Sequence, residues 1–178
     1  MSEQTWTSEI DTPLGAMIAA ANDRGLILCE YLDRPMLPTQ LRRIETICGG
    51  SVVEGRHEYL AQAQRELDEY FAGQRVEFTI PLVLDGTAFQ TAVWHELLRI
   101  PFGSTTSYDS IATKLSKPGA ARAVGRANGD NRIAIIVPCH RVINSDGTMS
   151  GYGGGKHRKR WLLRHEQRGA QLSLMDDA

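Results

Sequence analysis

Cys139 and His140 stand side by side directly after Pro138, at the end of the apolar run Ile133–Val137. A thiol attacks only as its thiolate, and an imidazole is the side chain best able to take the thiol proton near neutral pH. The pair therefore reads as an activated nucleophile. Adjacent residues of an extended chain point to opposite faces, so His140 is expected to reach Cys139 through a water. A third group must then orient the ring. Glu166, at the end of Lys159-Arg160-Trp161-Leu162-Leu163-Arg164-His165-Glu166, is the carboxylate chosen for that task. Spacing alone leaves a second reading open, in which Cys139 is a buried core thiol and His140 lies on the surface.

The elements that must position these residues divide into two kinds. Asn22-Asp23-Arg24-Gly25 is a turn signal between two apolar strands within residues 14–33. Residues 58–71 place Leu60, Ala63, Leu67 and Phe71 at helical spacing, with Gly73 as a stop. Residues 76–84 read as an edge strand containing Pro81, and Ile133–Val137 as a buried strand. Beyond Asp85-Gly86-Thr87 the pattern turns helical. Thr87 caps a helix carrying Phe89, Val93, Trp94, Leu97 and Leu98; a second opens at Ser107-Tyr108; a third spans Ala120–Asn128 after Lys117-Pro118-Gly119. The last two have the form of a helix-turn-helix. The fold class expected is α+β: a small N-terminal antiparallel sheet/helix domain over 1–86, a mostly helical C-terminal domain over 87–170, and a tail over 171–178.

Charge follows the same division. Residues 1–100 carry 8 Lys/Arg against 15 Asp/Glu, net −7, and residues 101–178 carry 12 against 6, net +6. A basic C-terminal half is the footprint of a polyanion binder. The run Lys156-His157-Arg158-Lys159-Arg160 is either a solvated face or a phosphate contact. The three cysteines, Cys29, Cys48 and Cys139, form no CxxC pair, and His57 is isolated, so neither a disulfide framework nor a metal site is expected. The opening residues lack a basic start followed by an apolar run, and no stretch approaches the roughly 20 apolar residues of a membrane span. The expectation is a cytoplasmic protein.

Six blocks occur in an order that narrows the reading: Phe89-Gln90 with Val93-Trp94, Ile100-Pro101 with Gly103, Tyr108, Ala120-Ala121-Arg122-Ala123-Val124-Gly125, Pro138-Cys139-His140-Arg141-Val142-Ile143, and Gly151-Tyr152-Gly153-Gly154-Gly155 followed by Trp161–Glu166. Together they closely resemble the methylated-DNA–protein-cysteine methyltransferases, also called O6-alkylguanine-DNA alkyltransferases. A fainter echo at Thr12-Pro13-Leu14-Gly15 and Tyr70-Phe71-Ala72-Gly73 extends the resemblance over the whole chain.

The resemblance implies a protein that binds double-stranded DNA containing alkylated bases and flips the damaged nucleotide into a pocket; no cofactor is expected, and a monomer is the default expectation. Cys139 matches the residue that takes the alkyl group from O6-alkylguanine, and from O4-alkylthymine, irreversibly and once only. His140, Glu166 and Asn131 match the groups that activate it, and Tyr108 the phenol that protonates the leaving purine at N3. Arg122 matches the arginine that fills the gap in the base stack. Ala120, Ala121, Ala123 and Gly125, with Tyr108, match the small-residue face laid against DNA. Pro138, Val142, Tyr152 and Gly153 match the pocket wall, with backbone amides near Val142 and Gly153 against the guanine. The alternative is a non-reacting binder of alkylated DNA; such relatives carry Trp in place of the cysteine, whereas this chain has Cys139. A cysteine hydrolase would need an oxyanion hole that nothing suggests, and a regulator would need a second DNA-binding module.

Three positions depart from the family pattern: Arg132 where relatives often have Pro, Arg126 where a small residue is frequent, and Gly153 where Ser or Ala is common. Gly153 lacks a side chain to crowd the alkyl group. Gly153→Ser is therefore expected to lower the ratio of benzyl to methyl transfer rates roughly tenfold. Single-turnover rates on oligonucleotides carrying each lesion measure that ratio, and an unchanged ratio rejects the steric role.

Overall fold

Strand β2 (Met17–Asn22) turns into β3 (Gly25–Tyr31) at the expected place, where Asn22 Oδ1 accepts the Arg24 amide at 3.0 Å. An Asx turn of this kind supplies locally the hydrogen bond that a tight reversal needs. Every residue of β3 is buried, as expected of a strand covered on both faces. Strand β1 (Thr5–Ile10) pairs antiparallel with β2, with Trp6 opposite Ala21 and Ile10 opposite Met17.

Helix α1 (Leu37–Cys48) follows β3, with Pro38 in its first turn and Gly49 (φ 58°) closing it. This helical crossover brings β4 (Val52–Glu54) back parallel to β1, with Thr5 opposite Val52. The sheet order is β3-β2-β1-β4, so the expected antiparallel sheet is in fact mixed. Helix α2 (Glu58–Phe71) covers the sheet with Leu60, Ala63, Leu67 and Tyr70; Phe71, expected on the apolar face, is only partly buried.

The computed structural model describes residues 4–176, and within it the chain forms two compact units. The first runs through Asp85 and adds Arg132–Ala134; the second takes Gly86–Asn131 and resumes at Ile135. Two expected strands are replaced by single bridges, both made by residues of the first unit. Over residues 76–84 only Leu82 pairs, with Leu26. Pro81 has no amide to give to a ladder, and the amides of Thr79 and Ile80 go instead to the buried Glu66 carboxylate at 3.0 and 3.3 Å. In Ile133–Val137 only Ile133 pairs, with Cys29, whose amide donates to Arg132 O at 2.9 Å and whose carbonyl accepts from Ala134 N at 2.8 Å. Ile135 then enters the left-handed region at φ 71°, which a β-branched residue adopts only under strain, and the extended path ends there.

The second unit is mostly helical. Helix α3 (Ala88–Leu98) opens on a reciprocal capping box between Thr87 and Gln90. It buries Val93, Trp94 and Leu97, and Trp94 Nε1 donates to Ala127 O at 2.9 Å. Strand β5 (Thr106–Ser107) leads into α4 (Tyr108–Lys114), capped by Ser107 Oγ, and a turn through Gly119 (φ 85°) leads to α5 (Ala121–Gly129). These two helices are the expected helix-turn-helix. A 3₁₀ turn at Cys139–Arg141 and strand β6 (Val142–Ile143) follow. Helix α6 (Lys156–Asp176) continues into the stretch expected as a tail; residues 177–178 of that stretch, like residues 1–3, lie outside the described residues. Among the described residues no helix is long and apolar enough to cross a membrane.

Gly25 is the glycine on which the hairpin depends. Its φ is 145°, and an added Cβ would lie 2.5 Å from Pro81 O, a backbone atom that cannot swing away. Gly25→Ala should destabilise the first unit by roughly 1–3 kcal/mol. Urea denaturation followed by circular dichroism should show the lower midpoint.

Candidate active site

The nucleophile candidate sits on a turn that its own sequence builds. Pro138 fixes φ at −81° with ψ at 61°, and the Cys139 amide donates back to Val137 O at 2.8 Å, an inverse γ-turn. Arg141 N then donates to Pro138 O at 3.0 Å and begins the 3₁₀ turn. Asn131 Nδ2 donates to Val137 O at 3.0 Å, and Asn128 Nδ2 approaches Cys139 O at 3.4 Å, so the end of α5 braces the turn from beneath. The expected link from Asn131 to the Cys139–His140 pair thus takes the form of a backbone brace at Val137.

His140 is fully buried beside Cys139, which is 7% exposed. His140 Nε2 lies 2.6 Å from Glu166 Oε1. A carboxylate can only accept, so the ring proton resides on Nε2. Nδ1 is buried with no protein partner and is the atom left to take a proton. Burial holds the His140 pKa below its ordinary value despite the Glu166 charge, so the ring rests neutral, as a base must. Glu166, expected as the orienting carboxylate, thus lies within hydrogen-bond distance of the ring.

Glu166 has a second partner that the residue-by-residue reading passed over. Arg141 Nε and Nη2 donate to its two oxygens at 2.8 and 3.0 Å, while Arg141 Nη1 donates to Ile100 O at 2.6 Å. The Gly103 amide adds a bond at 3.2 Å. Burial pushes the Glu166 carboxyl up, but His140 and the Arg141 guanidinium outweigh it and hold it at about 2. Gly103 is constrained here too: at φ 77°, an added Cβ would meet Ala170 Cβ at 2.7 Å and Glu166 O at 3.1 Å.

Strands β5 and β6 pair in parallel, Thr106 with Val142 and Ser107 with Ile143. Tyr108 follows Ser107 directly, and Val142 follows the Cys139 turn, so this short ladder carries the phenol to the thiol. Tyr108 Oη lies 2.6 Å from Ser150 Oγ. Burial, with a further contribution from Cys139, raises the Tyr108 pKa against the opposing Ser150 hydrogen bond, which favours the protonated phenol. Gly125 lies over its ring, where an added Cβ would be 3.7 Å from Cδ1.

The remaining expected residues are distributed as follows. Arg122 and Ala123 are exposed, Ala120 and Ala121 partly so, on the opening turn of α5. Arg122, Ala123 and Arg126 also line a cavity of about 420 Å³ with Phe89 and Gln90, on the α3 side of α5. That cavity includes none of the residues of the Cys139 turn, and the chemistry lies elsewhere. Pro138 is buried, Tyr152 half-buried and Gly153 exposed. The Val142 amide does not face outward as expected: it donates to Cys139 O, and Val142 O accepts Lys159 Nζ at 2.5 Å. Lys159 corrects a second expectation. It belongs to the run read as a solvated or phosphate-binding face, yet it is wholly buried and Arg158 nearly so, with Arg158 Nη1 on Gly154 O at 2.9 Å. Helical phase explains both, because positions 158, 159, 162 and 166 of α6 turn inward together.

Known proteins resemble this chain in sequence and fold. Residues 88–168 match the family model described as the DNA binding domain of 6-O-methylguanine DNA methyltransferase, and residues 7–84 match its ribonuclease-like domain. The methylated-DNA–protein-cysteine methyltransferase of Mycobacterium leprae is 45% identical over 165 residues, covering 93% of this chain and 94% of the relative. The crystal structure of Mycobacterium tuberculosis OGT in complex with DNA superposes with a TM-score of 0.80 at 41% identity, covering 93% of this chain and 94% of that one. The M. tuberculosis O6-methylguanine methyltransferase, also at 0.80 and 42% identity, covers 96% and 99%.

The Glu166 cluster predicts a specific acid sensitivity. Its pKa lies at about 2 in the fold against an ordinary 4.5, so the stabilisation is complete above pH 4.5 and is lost as pH falls toward 2. It amounts to about 3 kcal/mol by linkage. Glu166→Gln leaves Arg141 buried without a counter-charge and should cost roughly 3–5 kcal/mol at neutral pH. Denaturant midpoints between pH 2 and 7 should fall for both proteins at low pH, with a shallower slope for the variant.

Proposed function

The chain belongs to the methylated-DNA–protein-cysteine methyltransferase family, and from that premise we propose that it repairs alkylated DNA by moving the alkyl group of an O6-alkylguanine onto Cys139. The observation that carries this reading is the buried Cys139–His140 pair with Nε2 tied to Glu166 and Nδ1 left open. His140 takes the thiol proton through a water, and the thiolate displaces the alkyl carbon in line. Carbon–oxygen bond breaking leaves negative charge on the purine, and Tyr108 neutralises it with a proton at N3. A thioether is a stable product and no group beside Cys139 is suited to reverse it, so each molecule acts once.

DNA enters this reading through α5. The exposed turn from Ala120 to Ala123 carries three alanines, whose short side chains let the helix lie close to a groove floor. Arg122 then reaches into the base stack in place of the extruded nucleotide, whose flipping costs a few kcal/mol and less for a badly paired lesion. Gly125 keeps the adjoining surface low, and Pro138, Val142, Tyr152 and Gly153 wall the pocket. The M. tuberculosis relative, crystallised with DNA, supports the partner. The first unit serves as structural support and the second binds DNA and accepts the alkyl group; O4-alkylthymine is a second substrate. The protein acts as a cytoplasmic monomer without cofactor.

Incubation with a duplex oligonucleotide containing O6-methylguanine should add one methyl group to the peptide holding Cys139, read by mass spectrometry. Cys139→Ser should acquire none while still binding the duplex. An unmodified wild-type peptide, or the methyl on Cys29 or Cys48, rejects the assignment.

A further inference from the structure

We propose that Ser150 is a positioning residue that couples the buried Lys159 ammonium to the Tyr108 hydroxyl, so that the proton Tyr108 gives to the leaving base is replaced from Lys159. The proposal rests on the alkyl-transfer reading and concerns how the leaving group receives its proton. It begins with the placement of Lys159. An ammonium has three donors and no acceptor, and Nζ finds Val142 O at 2.5 Å, Ser150 Oγ at 2.8 Å and Gly151 O at 3.4 Å. Two backbone carbonyls alone would make a structural anchor. The hydroxyl between Lys159 and Tyr108 makes it a path.

The direction of that path follows from donor bookkeeping. Ser150 Oγ must accept from Lys159, which leaves its own single proton for one of two acceptors. Val142 O, which accepts Lys159 and has a second lone pair, is 3.3 Å away; Tyr108 Oη is 2.6 Å away. The relay uses the shorter contact: with Ser150 donating to Tyr108 Oη, the Tyr108 proton is free to point at a base in the pocket. During transfer the Tyr108 O–H bond breaks as N3–H forms, the Ser150 proton moves to the Tyr108 oxygen, and a Lys159 proton moves to Ser150. The sulfur–carbon bond forms as the carbon–oxygen bond breaks. One proton leaves the ammonium, one arrives on the purine, and solvent restores Lys159 afterwards.

The charges around the path suit a lysine that can release a proton. Burial lowers the Lys159 pKa to about 8, the Cys139 charge opposes that shift, and Lys156 on the same helix reinforces it. His140 faces Lys159 from the 3₁₀ turn, and Cys139 also bears on Tyr108. Transfer is thus expected to fade as pH rises through about 8, where Lys159 loses its proton.

Two reactions of the same thiol separate this relay from a structural role. Iodoacetamide alkylates Cys139 with iodide as leaving group, which needs no proton; O6-methylguanine in a duplex needs one. Ser150→Ala should leave the iodoacetamide rate of Cys139 unchanged and slow methyl transfer about tenfold, less than the full contribution of a general acid because Tyr108 itself remains. Ser150→Thr, which keeps the hydroxyl, should restore transfer. The ratio of the two rates cancels thiolate fraction. In wild type it should fall as pH rises through about 8, and in Ser150→Ala it should stay flat. A wild-type ratio in Ser150→Ala, or an equal loss in both reactions, overturns the relay. Failure of wild type to take a methyl on Cys139 overturns the alkyl-transfer reading instead, and is seen before any variant is made.

Discussion

A carboxylate buried away from water is tolerable only if its lone pairs are taken up, and Glu166 has four donors for that purpose: His140 Nε2, two nitrogens of Arg141 and the Gly103 amide. Desolvating such an ion costs several kcal/mol, and only complete pairing offsets the loss. The requirement organises the second unit. It ties α6 to the Cys139–Arg141 turn and to the Pro101–Gly103 bend, and it makes Gly103 the residue whose missing side chain admits the approach. His140 and, with it, Arg141 keep Glu166 ionised, and an ionised Glu166 is what assigns the His140 proton to Nε2. The state of the base is therefore set two residues away from the nucleophile.

With His140 neutral and serving as the proposed base, the nucleophile's side of the proposed reaction needs little else, because a thiolate is intrinsically strong. The harder half is the leaving group. A purine displaced from an alkyl carbon departs poorly as an anion, so a donor must face the pocket opposite the base. The β5–β6 ladder meets this by registering Ser107 against Ile143, which sets Tyr108 beside the Cys139 turn. The proposed base, His140, is bonded to Glu166, and the proposed acid, Tyr108, reaches Lys159 through Ser150; both Glu166 and Lys159 belong to α6. Residues 159 and 166 are seven apart, two helical turns, and so face the same side.

How much of this was legible in the sequence depended on whether the signal was local. Thr87 as a cap, the Asn22–Gly25 turn and the span 58–71 are written in neighbouring residues, and each lies where expected. The helix-turn-helix emerged for the same reason. The strands did not survive where a competitor for backbone hydrogen bonds came from afar: Glu66 takes the amides of Thr79 and Ile80, and nothing near residue 79 announces it. β4 was missed because three residues carry no periodicity, and its parallel pairing depends on α1 crossing over between β3 and β4.

The site shows the same limit. Cys139, His140 and Glu166 could be named because thiol, imidazole and carboxylate have few reasons to sit in such company. Lys159 could not, since a lysine within a basic run is nearly always solvated and only its helical phase distinguishes it from Arg160. That phase becomes readable once Glu166 is fixed as an inward residue, because a position seven earlier on one helix must face inward too. A buried cation with a hydroxyl between it and Tyr108 is then a consequence of the same helix that carries Glu166 to His140, so both halves of the proposed proton movement rest on α6.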